Sequence, residues 1–301
     1  PIMQTIREVP ELAQVLTYVV GDAETGKDII SNVDILVFTG SVPNGMKVAE
    51  ACAKRFIPAY LELGGKDPVI VTESADLDKA ATAILRGACF GTGQVCFSIE
   101  RIYVQEKVHD AFVDLLVKKA EQVVLNYPDV NKGHIGPFGT ATQARIVDQH
   151  LDDALARGAK IRTGGKSMNL GGGLYMRPTV LTNVNNSMKI MREETFGPVM
   201  PVVKYSTEDE AIRLANDSIY GLTAAAIAGS VDEAKRIAGR LEAGTVCIQD
   251  TFLTLFITYD AEHTSFKYSG LGGSRTGPGS ILRFLRKQSV LVNTVDPAPF
   301  A

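Results

Sequence analysis

The sequence predicts an α/β fold with a largely parallel sheet. Short apolar segments of strand length alternate along the chain with longer segments whose apolar residues recur at spacings of three and four. Several of the longer segments open at Ser, Thr or Asp with an acid in the first turn, such as Thr207 with Glu210 and Ser230 with Glu233, the pattern of a capped helix start. The expected strands are VLTYVV (15–20), ILVFTG (35–40), PVIVTE (68–73), RIYVQ (101–105), VMPVVKY (199–205), TAAAIAG (223–229) and TVCIQD (245–250). Between them GMKVAEACAKRF, DLDKAATAILRGACF, KVHDAFVDLLVKKAEQV, TQARIVDQHLDDALARGA, TEDEAIRLANDS and SVDEAKRIAGRLEAG are the expected helices. GGKSMNLGGG (164–173) reads as a surface turn. Its GGKS resembles the end of a phosphate loop, but Lys160 stands where the first glycine belongs and no helix follows the Ser.

The bulk properties exclude several partners. A chain of 301 residues with 45% hydrophobic and 22% charged residues has material for one large domain or two. Its net charge of −3 and scattered basic residues give no footprint for nucleic acid. No apolar run approaches the ~20 residues that cross a bilayer, and PIMQTIREVPELAQ lacks the pattern of a signal peptide, so the cytoplasm is the expected address. Cys52, Cys89, Cys96 and Cys247 form no C-x-x-C pair and no zinc spacing with the four histidines, so no metal site is expected.

Three loops have the makings of chemistry. In FTGSVPNG a strand ends at Gly40 and a helix begins around Asn44, which offers backbone N–H groups to an anion or is an ordinary strand-to-helix turn. In LELGGKDPVI, Glu62 sits between two leucines; it is either on a solvent face or desolvated, and desolvation would raise its pKa toward the range of a general base. GTGQVC begins like a dinucleotide fingerprint but ends in a cysteine. Gly91 and Gly93 allow a tight turn, and Cys96 is then either a buried structural thiol or one presented among N–H donors that lower its pKa below the usual ~8.5.

FTGS, LELGGK, GQVC and EETFGPV, in that order, closely resemble the motifs of the aldehyde dehydrogenase superfamily, and the likeness continues through FKYSG to the C-terminal segment. The resemblance implies oxidation of an aldehyde to an acid with NAD or NADP. Cys96 would be the nucleophile that forms a thiohemiacetal and then a thioester, and Glu62 the base that activates water and also helps to deprotonate the thiol. Gly40 and Ser41 match positions that approach the cofactor pyrophosphate, and Gly45 allows the close turn. Leu63 matches the residue whose backbone meets the nicotinamide amide. Glu194 matches the carboxylate that holds the nicotinamide ribose, and Phe196 the aromatic beside the nicotinamide ring. The backbone N–H of Cys96 would be one oxyanion donor.

The sequence departs from the family where substrate is met. EHTSFK replaces a stretch usually close to PFGGFK, so His263 occupies the place of an aromatic that lines the aldehyde tunnel, or is a solvated loop residue; CIQD replaces the family's tryptophan and asparagine after GTV. By resemblance, residues 1–63 are the C-terminal part of a Rossmann-type nucleotide-binding domain, 64–264 a catalytic α/β domain, and 265–301 a return segment whose QSVLVN is an oligomerisation strand. A homodimer or homotetramer is expected. The family's oxyanion asparagine, adenosine-ribose lysine and NAD-or-NADP selector belong to a portion that precedes VLTYVV. A longer native polypeptide or a second chain is therefore expected to supply them. The competing readings are a truncated relative that binds or assembles without turnover, and a thiol esterase that needs no cofactor.

Overall fold

The computed structural model describes residues 2–256 and 259–296. In chain order the elements that place the site are α1 (Ala23–Asn32), β1 (Leu36–Thr39), α2 (Val42–Lys54), β2 (Ala59–Glu62), β3 (Asp67–Val71), α3 (Leu77–Cys89), β4 (Ile99–Gln105), α4 (Glu106–Glu121), α5 (Ala141–Ala156), β5 (Lys160–Thr163), β6 (Thr179–Thr182), β7 (Val199–Tyr205), α6 (Glu208–Asn216), β8 (Thr223–Ile227), α7 (Val231–Ala238), β9 (Thr245–Ile248) and β10 (Gly270–Leu271). A seven-stranded sheet runs in the order β9-β8-β3-β4-β7-β6-β5, parallel throughout except for the edge strand β5. A second sheet has the order β1-β2-β10; β1 and β2 are parallel, and β10 returns antiparallel from far along the chain.

Helices cover both faces of the large sheet, as a parallel sheet requires. Val69, Val71, Ile102 and Val104 point to one side, where they meet Ile84 and Ala88 of α3 and Phe112 and Leu116 of α4. Ile70, Tyr103 and Val203 point to the other, against Val147 and Leu151 of α5, Ile212 of α6 and Ile237 of α7. That alternation is the two-residue period of a strand buried on both faces. A smaller cluster of Val42, Leu61 and Leu63 binds α2 to β2. The helix starts follow their caps: Thr207 Oγ1 accepts from Glu210 N, and Ser230 Oγ from Glu233 N, both at 3.2 Å. The second box is half-made, because Glu233 accepts from Ser74 Oγ instead of turning back on its own helix start.

Several expectations need correction. VLTYVV forms no ladder; Val15, Tyr18 and Val20 are exposed and no strand lies beside them to pair their backbone, without which apolar β-branched residues do not make a strand. Residues 21–32, not expected to be helical, contain α1, whose N-cap Asp22 accepts from Glu24 N at 3.0 Å. α2 starts at Val42 rather than Asn44. Met168–Leu170 and Gly173–Tyr175 form a hairpin inside the expected glycine loop. The expected oligomerisation strand, 288–293, is assigned to pairing between subunits; among the described residues it forms no ladder, and 297–301 of the return segment lie outside them. Among the described residues no helix is long and apolar enough to cross a membrane.

One buried side chain ties the segment that crosses between the two sheets to the segment that leads into β8. Ser269, fully buried, donates to Gly64 O at 2.7 Å and accepts from Gly221 N at 2.9 Å. Ser269→Ala would leave both backbone groups without that partner, and the expected cost is about 1–3 kcal/mol. A urea titration checks this: the midpoint should fall with an unchanged slope, and an unaltered midpoint would contradict the assigned role.

Candidate active site

Glu62 is the last residue of β2. Its carbonyl accepts from Gly40 N at 3.1 Å, and its register partners are Thr39 on β1 and Gly270 on β10. The carboxylate therefore emerges at the C-terminal edge of a parallel pair, where α/β sheets bind ligands. It is half-buried. Oε2 lies 3.2 Å from Arg275 Nε, a charge contact without hydrogen-bond alignment, and Oε1 lies 3.8 Å from His263 Nε2. Of the two alternatives for Glu62 neither is met in full, since it is half-buried yet its pKa is lowered: His263 lowers it most, and Arg275 and Arg283 lower it further, against the opposing effect of burial.

Cys96 stands in the turn between α3 and β4. Gly91, Thr92 and Gly93 all have left-handed backbone, with φ of 57°, 63° and 71°. A β-branched residue is strained there, and Thr92 is held by its hydroxyl donating to Gly136 O at 3.0 Å. A side chain on Gly93 would strike the Gly197 carbonyl, so the turn packs on the loop that carries Glu194 and Phe196. Ser98 Oγ, which donates to Gly87 O at 3.1 Å, ties the exit of the turn back to α3. The alternative of a lowered thiol pKa is not met: burial pushes Cys96 up to about 12, and the charges of Glu62, Asp67 and Glu194 add to that effect. The Cys96 backbone N–H, directed at its own sulfur, opposes that rise.

The remaining expected residues surround this pair. Gly45 on α2 packs so closely on Leu63 that a methyl would collide with it. Leu63 N donates to Ser269 O at 2.9 Å, which leaves the Leu63 carbonyl for a ligand. Ser41 is the N-cap of α2 by conformation only; its side chain makes no capping bond, so the first N–H groups of α2 remain open to an anion beside Gly40. Glu194 Oε1 accepts from Gly65 N at 3.2 Å, and a methyl on Gly64 would collide with the Glu194 carboxylate. Burial and the nearby Glu100 raise Glu194 to about 7. Phe196 has φ of +54°. His263 is buried rather than solvated, with Nδ1 3.0 Å from Thr245 Oγ1.

Sequence reasoning missed Arg275, Lys66, Glu100 and Ser269. Ser269 lies within FKYSG, where the motif marked the place without a role. Arg275 lies in GGSRTG, a glycine-rich turn with no periodicity to reveal where its side chain goes. Between α1 and α2 the structure opens a groove of 650 Å³ lined by residues that include Ile29, Ile30, Phe38, Asn44, Lys47 and Val48. It ends beside the open N-terminus of α2.

A thiol with a pKa near 12 fixes the sign of its pH response. Below the pKa the thiolate fraction grows tenfold per pH unit, so iodoacetamide labelling of Cys96 should still climb above pH ~9, where an ordinary cysteine has levelled off. Glu62→Gln removes a negative charge and should speed labelling at fixed pH. Peptide mass spectrometry would read both; a plateau near pH 8, or slower labelling in Glu62→Gln, contradicts this electrostatic account.

The aldehyde dehydrogenase family profile matches residues 2–290. A Mycobacterium bovis relative, whose name is that of an NADP(+)-linked succinate-semialdehyde dehydrogenase, is 38% identical over 278 residues, covering 91% of this chain and 53% of its own. Among solved structures, the aldehyde dehydrogenase PutA of Anabaena variabilis superposes with a TM-score of 0.95 at 52% identity, covering 99% of this chain and 64% of that one. The NAD+ complex of Staphylococcus aureus betaine aldehyde dehydrogenase superposes at 0.84 with 33% identity, covering 96% and 61%. The chain thus spans about half the length of the curated relatives it matches. With the motifs, the sheet order and the family match in agreement, this chain belongs to the aldehyde dehydrogenase family.

Proposed function

We propose that the native polypeptide oxidises an aldehyde to a carboxylic acid with NAD or NADP. The observation that carries the reading is the convergence of Cys96, Glu62 and Glu194, close enough that both carboxylates act on the thiol, at the C-terminal edge of β2 next to the N-terminus of α2. The groove between α1 and α2 has the apolar lining an adenine needs, the start of α2 has the free N–H groups a pyrophosphate needs, and the Leu63 carbonyl and Glu194 carboxylate are acceptors for a nicotinamide riboside. Residues 1–63 thus act with the return segment as the nucleotide half, and 64–264 as the catalytic half. When bound, the cofactor accepts the hydride that leaves the thiohemiacetal carbon.

The chain's own groups do the rest. Cys96, having lost its proton to solvent water, bonds through sulfur to the aldehyde carbon as the carbonyl π pair moves to oxygen, and its backbone N–H is the donor offered to that oxygen. After the hydride leaves, the sulfur is held as a thioester. Glu62, kept ionised by His263 and Arg275, takes a proton from water; the resulting hydroxide adds to the thioester carbon and expels the Cys96 thiolate. Glu62 acts on this water, because its charge opposes ionisation of the thiol. His263 sits beside Glu62 where it borders the aldehyde's path.

The cytoplasm suits four free cysteines, since it keeps thiols reduced. Association through 288–293 gives a homodimer or homotetramer: Val290, Leu291 and Val292 are 79%, 93% and 76% exposed on an unpaired extended stretch, which a strand of another subunit would cover.

Absorbance at 340 nm on adding an aldehyde and NAD or NADP to the native polypeptide tests the activity. Cys96→Ala should abolish it while Cys52→Ala, Cys89→Ala and Cys247→Ala keep it. Glu62→Gln should slow turnover by ~10²–10⁴ yet retain a first-turnover burst of reduced cofactor. Full activity in Cys96→Ala, or ester cleavage with no cofactor-dependent oxidation, would remove the reading. Arg275→Ala takes a cation from Glu62 and so should raise the pH at which activity falls on the acid side. An acid limb that stays in place or moves down contradicts the ion pair's role.

A further inference from the structure

Lys66 stands four residues after Glu62, and Glu100 four residues after Cys96. They meet inside the protein, Nζ to Oε2 at 2.6 Å, with side-chain exposures of 0% and 3%. Neither has a part in the chemistry above. A lone buried ion pair adds little net stability, so its other contacts show what it does. The Glu100 carboxylate also accepts from Thr195 N and Phe196 N, each at 2.8 Å. Lys66 also donates to Thr195 Oγ1 at 2.8 Å, an atom that His150 Nδ1 approaches at 3.2 Å, and Gln143 Nε2 donates to Thr195 O at 2.7 Å.

The pair therefore grips the backbone between Glu194 and Phe196, the two residues assigned to the nicotinamide end of the cofactor. The grip is needed. Phe196 is held at φ +54°, a region an aromatic residue leaves unless its surroundings fix it there. Its own N–H is one of the two donors to Glu100.

We infer that Glu100, acting with Lys66, is a positioning residue for the nicotinamide end, presenting Glu194 and Phe196 in their binding arrangement before any cofactor arrives. This rests on the dehydrogenase reading of the site. The joint variant Lys66→Met with Glu100→Leu removes both charges in an apolar pair of similar volume, which buried ion pairs tolerate without loss of stability. It leaves Thr195 N–H and Phe196 N–H without their acceptor. Calorimetric titration of the native polypeptide with NAD and with NADP should show a dissociation constant raised about 10-fold to 100-fold. Removing the two charges together should cost little, but the two unmet N–H groups should lower the thermal midpoint modestly; Cys96 labelling should stay near wild type, and amide exchange in the peptide covering 194–197 should quicken without cofactor present. Lys66→Met with Glu100→Gln restores an acceptor and should recover part of the affinity. Equal affinity in wild type and the Met–Leu variant, or affinity that falls only as far as the thermal midpoint falls, overturns the positioning role alone. A wild-type protein that binds neither cofactor overturns the site reading beneath it.

Discussion

Leu63 to Asp67 carry the chain from one sheet to the other entirely inside the protein, and buried backbone has to find partners. Each demand is met from a distant segment. Leu63 N donates to Ser269 O, and Gly64 O accepts from Ser269 Oγ. Gly65 N donates to Glu194, and Lys66 O accepts Arg101 Nε at 2.7 Å. At the end of the crossing, the Asp67 carboxylate takes both the N–H and the hydroxyl of Thr223. The crossing gathers the return segment, the Glu194 loop, β4 and β8 around five residues. Glu62 directly precedes the crossing, and Gly65 within it packs so closely on the Cys96 carbonyl that a methyl there would collide with it, so both candidate residues lie at the margins of the buried crossing.

The electrostatics follow from that gathering. Burial holds the Cys96 thiol protonated at neutral pH, and three carboxylates, Glu62, Asp67 and Glu194, add to that effect. Their own states diverge because their partners differ. Glu62 has His263 and Arg275 and stays ionised; Glu194 is buried beside Glu100 with one backbone N–H, so its pKa rises toward neutrality; Asp67, fully buried, is also raised. Carboxylates of one chemical type are thereby set to different charges by position alone, the usual basis for dividing acid and base roles in a site.

What the sequence disclosed was what local chemistry determines. Strand and helix periods, the caps at Thr207 and Ser230, the glycine turn before Cys96 and the odd placing of Glu62 among leucines are all properties of neighbours in the chain. The sign of the pKa shifts was not legible, because the sequence around Glu62 shows only Leu61 and Leu63 and suggests desolvation, whereas His263 and Arg275 arrive from about two hundred residues later. The VLTYVV expectation failed for a related reason: β-branched composition expresses a preference for a pleated surface, and the surface has to be supplied by a paired neighbour. Lys66 and Glu100 were invisible as a pair because each reads by itself as a solvated charge at a strand end.

Two strained turns, Gly91–Thr92–Gly93 before the thiol and Phe196 after Glu194, touch each other at Gly93 and Gly197. Each holds a non-glycine residue in left-handed backbone, and each is fixed by a side chain to main chain bond, Thr92 Oγ1 to Gly136 O in one and Phe196 N to Glu100 in the other. Strain of this kind costs about 1–3 kcal/mol per residue, so it persists only where the surroundings leave the chain no relaxed alternative. Here the surroundings are the crossing's own partners, since Glu100 belongs to β4 and Glu194 accepts from Gly65. The strain therefore lies in the two loops that must keep their shape, while the sheets beneath them use ordinary geometry. A thiol and a carboxylate presented on loops hold fixed positions in this way, with the rigidity drawn from the buried segment between them.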